Sequence, residues 1–392
     1  MQHKTSFIKH LLKSDSFGGL LLMVCVVISL LVANSGLMQV FNQVLKTPIG
    51  YNLSFAHLQY PLINWINDGL MAIFFLFVGL EIKREVLNGE LSDTKNATLP
   101  VFAAIGGMAV PALIYMVFNH GKATANGWGV PMATDIAFAI AILSVLGRSI
   151  PLSLKVFLKA LAIVDDLGAI VVIAIFYSAG LSSHYLMLAA ITFAVQIAFN
   201  YFGFKHLAFY LIPGVFLWYF IHSSGIHATV AGVLTAFTIP MDPDDQKSPL
   251  LKLEHALESP VNFIIIPIFA LANTNIHFEW DVIVRGVTSP LGLGIMAGLF
   301  LGKPIGITLC AWIAVKTKLS ALPKNTNWLQ LWGAGQLGGI GFTMSIFITL
   351  LSFHQAILHD EGKLAILIAS VAAALAGYVV LKIKFQKNVI KR

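Results

Sequence analysis

Two adjacent carboxylates, Asp165 and Asp166, stand in the run Ala162-Ile-Val-Asp-Asp-Leu-Gly168, flanked on both sides by apolar sequence. An ionised carboxylate at the centre of a bilayer costs about 2.5–3.5 kcal/mol even on lenient insertion scales, so two in succession point to a function. Neighbouring residues project about 100° apart on a helix, which lets one face a cavity while the other meets a second partner. Crowding and desolvation both favour the protonated acid. A carboxylate poised between its two forms holds either a proton or a hard cation, and that competition is enough to exchange one for the other.

Other groups have chemistry to offer nearby. Lys303, in Leu301-Gly-Lys-Pro304, lies well inside an apolar stretch. A lone ammonium there pairs with a carboxylate or loses its proton, Asp165 and Asp135 being the candidate partners, unless it snorkels to an interface. Thr134 and Asp135 follow Pro131, a helix breaker. Opposed half-helix ends would set partial charges of both signs in the membrane, where Asp135 could neutralise positive ends and Thr134 could offer an oxygen to a cation. The plain alternative is a helix-capping Asp or Thr beside a break. A second cluster comprises Glu81, Arg84 and Glu85, with the two glutamates spaced i,i+4 on one helix face, and Glu254 with His255. Histidine among carboxylates suits a pH sensor, though charges at helix ends are also ordinary interfacial residues. His227 reads as a packing residue or a sensor, and Asp68 as the mark of a vestibule or of an interface.

These groups need a scaffold that buries them. Hydrophobic residues make up 57% of the 392 and charged residues 11%, against roughly 45–50% and about 25% in soluble domains. Apolar stretches long enough for a hydrocarbon core of about 30 Å recur along the chain. They predict an all-α polytopic membrane protein with about twelve transmembrane helices, organised as a single domain over 1–392. The expected spans lie near 17–34, 62–80, 97–118, 128–147, 152–177, 184–200, 206–221, 225–240, 256–275, 289–314, 330–352 and 361–382. With both termini cytoplasmic, 20 of the 25 Lys and Arg residues fall inside, among them Lys4, Lys9, Lys13, Arg148, Lys247, Lys391 and Arg392. Lys46, Lys122, Arg285 and Lys363 fall outside and Lys303 within a span, as the positive-inside bias requires. The net charge of +7 is therefore topological: no basic stripe interleaved with aromatics suggests nucleic acid. Cys25 and Cys310 suit neither a disulfide framework nor a metal cluster, and the first apolar run reads as a retained helix rather than a signal peptide. A cytoplasmic N-terminus of about 1–16 and a tail of about 383–392 flank the spans. In the outside loop at 35–60, Ile49, Tyr51, Leu53 and Phe55 alternate with Gly or polar residues, which fits either a short hairpin pairing with another chain or an ordinary capping loop. The fourth span (Trp128-Gly-Val-Pro-Met-Ala-Thr-Asp135) and the eleventh (Gly333 to Thr343) carry helix-disrupting residues, and unwound backbone at membrane depth requires protein or a watery cavity around it.

Several of these segments, in this order, resemble the NhaA family of bacterial sodium/proton antiporters over essentially the whole chain. They are Phe74–Glu85, Pro131–Phe138, Leu161–Ala169, Gly225–Gly232, Leu253-Glu-His255, Leu301–Pro304 and Gly338–Ile346. Paired interruptions in corresponding positions mark inverted repeats around a binding site, a relationship for which NhaA transporters are themselves a known example. The resemblance implies twelve helices with the fourth and eleventh interrupted and crossing. It implies that Asp166 is the principal sodium and lithium ligand, with Asp165 beside it in a pair with Lys303 that breaks as the ion binds. Asp135 with Thr134 would balance charge at the crossing. Glu81, Arg84, Glu85, Glu254, His255 and His227 would belong to the pH response. It further implies electrogenic exchange, more protons entering than sodium ions leaving, homodimers joined through a hairpin at 45–58, residence in the inner membrane, and no cofactor beyond the transported ions.

One departure stands out. The family commonly has a second histidine three residues after His255, where this chain has Glu258. The preceding Asp242-Pro-Asp-Asp245 is acidic as well. No Walker-type phosphate loop is present, so a proton gradient is the expected energy source. An intramembrane aspartyl protease built on Asp135 and Asp166, a proton-coupled carrier of an organic solute and a channel are the competing readings. The first gives Lys303 no role, the second lacks an intramembrane Arg, and the third has no need of a carboxylate–lysine pair.

Overall fold

The computed structural model describes residues 15–53, 56–147, 150–178, 180–242 and 248–389. Lys4, Lys9, Lys13, Phe55, Arg148, Asp244, Asp245, Lys247, Lys391 and Arg392 lie outside the described residues. Helix α1 (Asp15–Ala33) precedes α2 (Met38–Lys46), their axes 110° apart. Strands β1 (Pro48–Ile49), β2 (Asn52–Leu53), β3 (Ala56–His57) and β4 (Tyr60–Pro61) make an antiparallel hairpin, with Ile49 opposite Tyr60 and Asn52 opposite His57. The loop expected at 35–60 is thus a helix followed by a hairpin. Residues Val40, Phe41, Val44 and Leu45 give α2 an apolar face, but at nine residues it is too short to register as a span.

Helix α3 spans Leu62–Asn88 with a π-helical turn at Trp65–Leu70, and α4 spans Thr94–Asn119. A 3₁₀ segment, Ala125–Met132, leads through three non-helical residues to α5 (Ile136–Val145). The chain continues through α6 (Leu152–Phe176), α7 (Ser183–Tyr201), α8 (Ala208–Ser224), α9 (Val230–Thr238) and α10 (Pro249–Asn273). It ends with α11 (Trp280–Thr288), α12 (Pro290–Lys316), α13 (Trp328–Gly338), α14 (Phe342–Ser352) and α15 (Ala356–Val389).

Helices therefore occur at each of the twelve expected segments, and the protein is a multi-pass membrane protein. Among the described residues, seven helices are long and apolar enough to cross a membrane, or up to nine if each bent pair counts as one span. The shortfall from twelve has physical causes. Helix α6 has 25 residues but carries Lys155, Lys159, Asp165 and Asp166; α8 has 17 residues and α9 only nine.

Helices α10 and α12 share a local irregularity. Each contains a five-residue π-turn, Val261–Ile265 and Gly298–Gly302, and in each a proline follows two residues beyond it, Pro267 and Pro304. Proline lacks the N–H that would bond the carbonyl four residues back, and its ring crowds that carbonyl, so a widened turn accommodates it.

By contacts the chain separates into two compact units, each made of discontinuous segments. One comprises the described residues of 1–24, 88–169 and 276–392. Within it α4 and α12 approach backbone to backbone: a Cβ on Gly106 would lie 2.1 Å from the Gly306 carbonyl oxygen, and one on Gly306 2.0 Å from that of Gly106. Small residues permit such approach, the usual basis of helix packing in membranes. The other unit comprises 25–87 and 170–275. Its core includes Leu80, Tyr210, Ala236, Ile239 and Leu250, all completely buried.

Candidate functional site

The break in the fourth segment falls at residues 133–135, just after the expected Pro131, which itself sits inside the 3₁₀ segment. Ala133 is extended (ψ 149°), and Asp135 is the N-cap of α5, its side chain accepting from the Phe138 N–H. The second break, between α13 and α14, bends the chain by 48° around Gly339–Gly341. The two breaks are joined by hydrogen bonds. Asp135 N–H donates to the Ile340 carbonyl at 2.6 Å, and the Thr134 hydroxyl lies 2.8 Å from the Gly338 carbonyl. Asp135 Oδ2 accepts from both the N–H (3.1 Å) and the hydroxyl of Thr343 in the first turn of α14. One carboxylate thus caps the N-terminal ends of two half-helices, where a negative charge opposes the helix dipoles. The capping and charge-balancing readings of Asp135 describe the same contacts.

Beside this junction α6 and α12 bring Asp165 and Lys303 together. The Lys303 ammonium donates to Asp165 Oδ2 and to the carbonyl of Met132, the last residue of the 3₁₀ segment before the break. Lys303 is 0% exposed and Asp165 2%, so snorkelling is excluded. The Thr134 hydroxyl is 2.6 Å from the same Oδ2. It has a single proton to donate, to Asp165 or to Gly338. Asp165 Oδ1 is buried and accepts no hydrogen bond from any described residue. Such an orphan oxygen is costly in an apolar interior unless another group, such as a cation, meets it. Asp166, the next residue on α6, is also buried and lies within electrostatic reach of Lys303. Asp135, with both oxygens already engaged by backbone and hydroxyl donors, is not free to share a proton across a scissile bond.

The second cluster forms in the other unit. Arg84 on α3 bonds Glu254 on α10 through Nε at 2.9 and 3.1 Å, Glu85 through Nη1 at 2.8 Å, and approaches Glu81 at 3.9 Å. His255 and Glu258 are exposed on the same helix as Glu254. Lys83 donates to the Phe237 and Ile239 carbonyls at 2.7 and 2.6 Å, closing the C-terminal end of α9. Asp68 and His227, read separately in the sequence, form a pair: His227 Nε2 is 3.3 Å from Asp68 Oδ1 and Nδ1 is 2.8 Å from the Thr229 hydroxyl. The π-turn of α3 holds Asp68, whose carbonyl accepts from Trp218 Nε1 at 3.0 Å.

Sequence reasoning missed Lys83, whose partners are remote carbonyls, and Gln336, whose amide donates to the Phe300 carbonyl at 3.1 Å. It also missed the burial of Glu361 and Lys363 at the start of α15, where the Arg285 guanidinium lies 3.9 Å from Glu361. Three of these residues, Lys83, Glu361 and Lys363, were visible as charges beside apolar runs. Gln336 gave no signal except its place in a glycine-rich segment.

A multi-pass helical membrane protein with an ammonium and carboxylates buried where two interrupted segments meet belongs to the class of membrane transporters. Residues 9–381 match the family described as Na+/H+ antiporter 1, and the chain belongs to that family. It is 57% identical over 380 residues to the Na(+)/H(+) antiporter NhaA 2 of Flavobacterium johnsoniae, covering 97% of this chain and 93% of that one. It is 49% identical over 386 residues to the Na(+)/H(+) antiporter NhaA of Caulobacter vibrioides, covering 97% and 91%. With the Na(+)/H(+) antiporter NhaA of Sulfurovum sp. it shares 45% identity over 384 residues, covering 96% and 98%.

Proposed function

We propose that this protein exports sodium, and lithium, in exchange for protons, by alternating access around Asp165 and Asp166. The observation that carries the reading is the buried Lys303–Asp165 pair with an unengaged Asp165 oxygen beside it. A cation arriving between Asp165 and Asp166 competes with the Lys303 ammonium and with protons for the same carboxylates. Oxygen ligands suit hard cations, which favours sodium and lithium over softer ions. Protons from outside neutralise the site, cytoplasmic sodium displaces them, and the loaded site reopens outward. More protons than sodium ions cross per cycle, so exchange is electrogenic and the membrane potential can still drive sodium out under alkaline conditions.

In this reading Asp135 keeps the junction electrically balanced while the cargo changes. Glu81, Arg84, Glu85, Glu254, His255 and the His227–Asp68 pair respond to pH, with Glu258 altering the threshold. The protein works in the bacterial inner membrane with both termini cytoplasmic, and two copies associate through the hairpin at 48–61. The exposure of Tyr51, at 84%, and Ile49, at 46%, supports that pairing surface.

The test uses everted vesicles from cells lacking other antiporters, energised and monitored with a pH-sensitive dye at pH values from about 6.5 to 9, spanning the range in which histidine and perturbed carboxylates titrate. Sodium and lithium should restore fluorescence, potassium should not, and Asp166→Asn should be silent although inserted and folded. No cation response at any pH from the unsubstituted protein would overturn the reading.

A further inference from the structure

Lys303 follows an irregular stretch of α12 that accepts a hydrogen bond from a residue of another helix. Pro304 follows Lys303 directly and has no N–H for the carbonyl of Phe300, four residues back. The turn before it is π-helical, Gly298–Gly302, with the Lys303 N–H bonded to the Gly298 carbonyl. The Phe300 carbonyl thereby lacks the α-helical donor it would ordinarily have. It accepts instead from Gln336 Nε2, at 3.1 Å, on α13. Gln336 is 3% exposed, so its amide does not reach this carbonyl by default from a solvated surface.

The surroundings leave the turn little freedom elsewhere. A Cβ on Gly298 would lie 2.6 Å from Pro131, in the 3₁₀ segment that ends in the Lys303-bonded Met132 carbonyl. A Cβ on Gly339, in the second break, would lie 2.4 Å from the Leu299 carbonyl. Gly335, beside Gln336, rests against the Pro304 Cα with only 3.3 Å for a Cβ. The π-turn is packed against both helix breaks, and Gln336 supplies its side-chain hydrogen bond.

We propose that Gln336 is a positioning residue for ion exchange: by bonding the Phe300 carbonyl, whose α-helical donor Pro304 removes, its amide holds the π-turn that points Lys303 at Asp165. This rests on the antiport reading, in which the Lys303 ammonium and sodium compete for Asp165. Loosening the turn weakens the lysine's hold, so sodium displaces it at lower concentration. Gln336 touches neither cargo nor carboxylate and acts only through α12.

A double-mutant cycle decides the matter. Gln336→Met keeps the size of the side chain and removes the donor, while Pro304→Ala returns a backbone N–H to the Phe300 carbonyl. At fixed pH, Gln336→Met in the otherwise unsubstituted protein should lower the apparent KM for sodium by about two- to tenfold, the equivalent of one ordinary hydrogen bond, with the maximal rate retained. Its thermal midpoint in detergent should fall. In the Pro304→Ala background the same substitution should change neither quantity. Equal effects in both backgrounds, or no effect in the Pro304 protein, would overturn the proposal. Should Gln336→Met fail to accumulate, recovery by Pro304→Ala supports it and failure in both backgrounds defeats it. The thermal cycle needs no transport, so it still tests the hydrogen bond if the unsubstituted protein gives no sodium response and the antiport reading itself falls.

Discussion

Lys303 and Asp165 stand 138 residues apart in the chain and meet as a buried ion pair, the ammonium also bonded to the Met132 carbonyl. A buried pair is not in itself a source of stability, because desolvating two charges consumes most of their attraction. What it does create is a strong dependence of each partner on the other, and a site where a third charge changes the balance.

Asp165→Asn strands the lysine in an apolar interior and should destabilise the protein by about 3–5 kcal/mol if the ammonium is retained. The double variant Asp165→Asn/Lys303→Met removes both charges and should recover most of that loss, while remaining unable to exchange ions. Thermal unfolding of purified protein in detergent distinguishes them. Equal midpoints for the single and double variants would show that the pair carries no such interdependence.

Asp135 is expected to matter more than any one of its donors. Thr343→Val removes the hydroxyl but leaves the backbone N–H, and should cost about 1 kcal/mol. Asp135→Asn removes the charge facing two helix N-termini, and each such interaction is worth up to about 2 kcal/mol when partly buried. Thermal midpoints should rank unsubstituted protein, Thr343→Val and Asp135→Asn in descending order. An Asp135→Asn protein as stable as Thr343→Val would mean that its charge does not hold the junction.

How far the sequence reaches is clearest from particular residues. Asp165, Asp166 and Lys303 betray themselves because a charge inside an apolar run is expensive, whatever surrounds it. The breaks are equally local, written in Pro131 and in the glycines from 338 to 341, although Pro131 itself remains in a 3₁₀ turn and the chain opens at 133–135. Pairings are another matter. Asp68 with His227, Lys83 with the end of α9, and Gln336 with Phe300 are set by packing between distant segments. No periodicity records them. The number of spans suffers from the opposite difficulty: α6 is too charged, and α9 too short, to meet the ordinary criteria of length and apolarity.

Lys83 closes α9 by donating to two carbonyls, Phe237 and Ile239. Lys83→Met keeps the apolar stem and removes the donors, so it should free the last turn of α9 at a cost of about 1 kcal/mol, that of an ordinary hydrogen bond. Hydrogen exchange should quicken in residues 235–239 ahead of the rest of α9. Uniform quickening along the helix would argue against a capping role.

Arg84 lies among three carboxylates, those of Glu81, Glu85 and Glu254, and its removal exposes their mutual repulsion. Arg84→Gln retains a hydrogen-bonding side chain but no charge. Ionised carboxylates crowded together repel, and protonation relieves the repulsion. The loss of thermal stability relative to the unsubstituted protein should therefore be greater at alkaline than at acid pH, by about 1–2 kcal/mol if each partly buried like-charge contact costs what a comparable ion pair gains. If the cluster governs the pH response of exchange, the same substitution should displace the pH profile in everted vesicles while leaving the maximal sodium response largely intact. A stability deficit independent of pH would show that Arg84 acts by packing. A pH-dependent deficit with an unmoved transport profile would confine the cluster to holding α3 against α10.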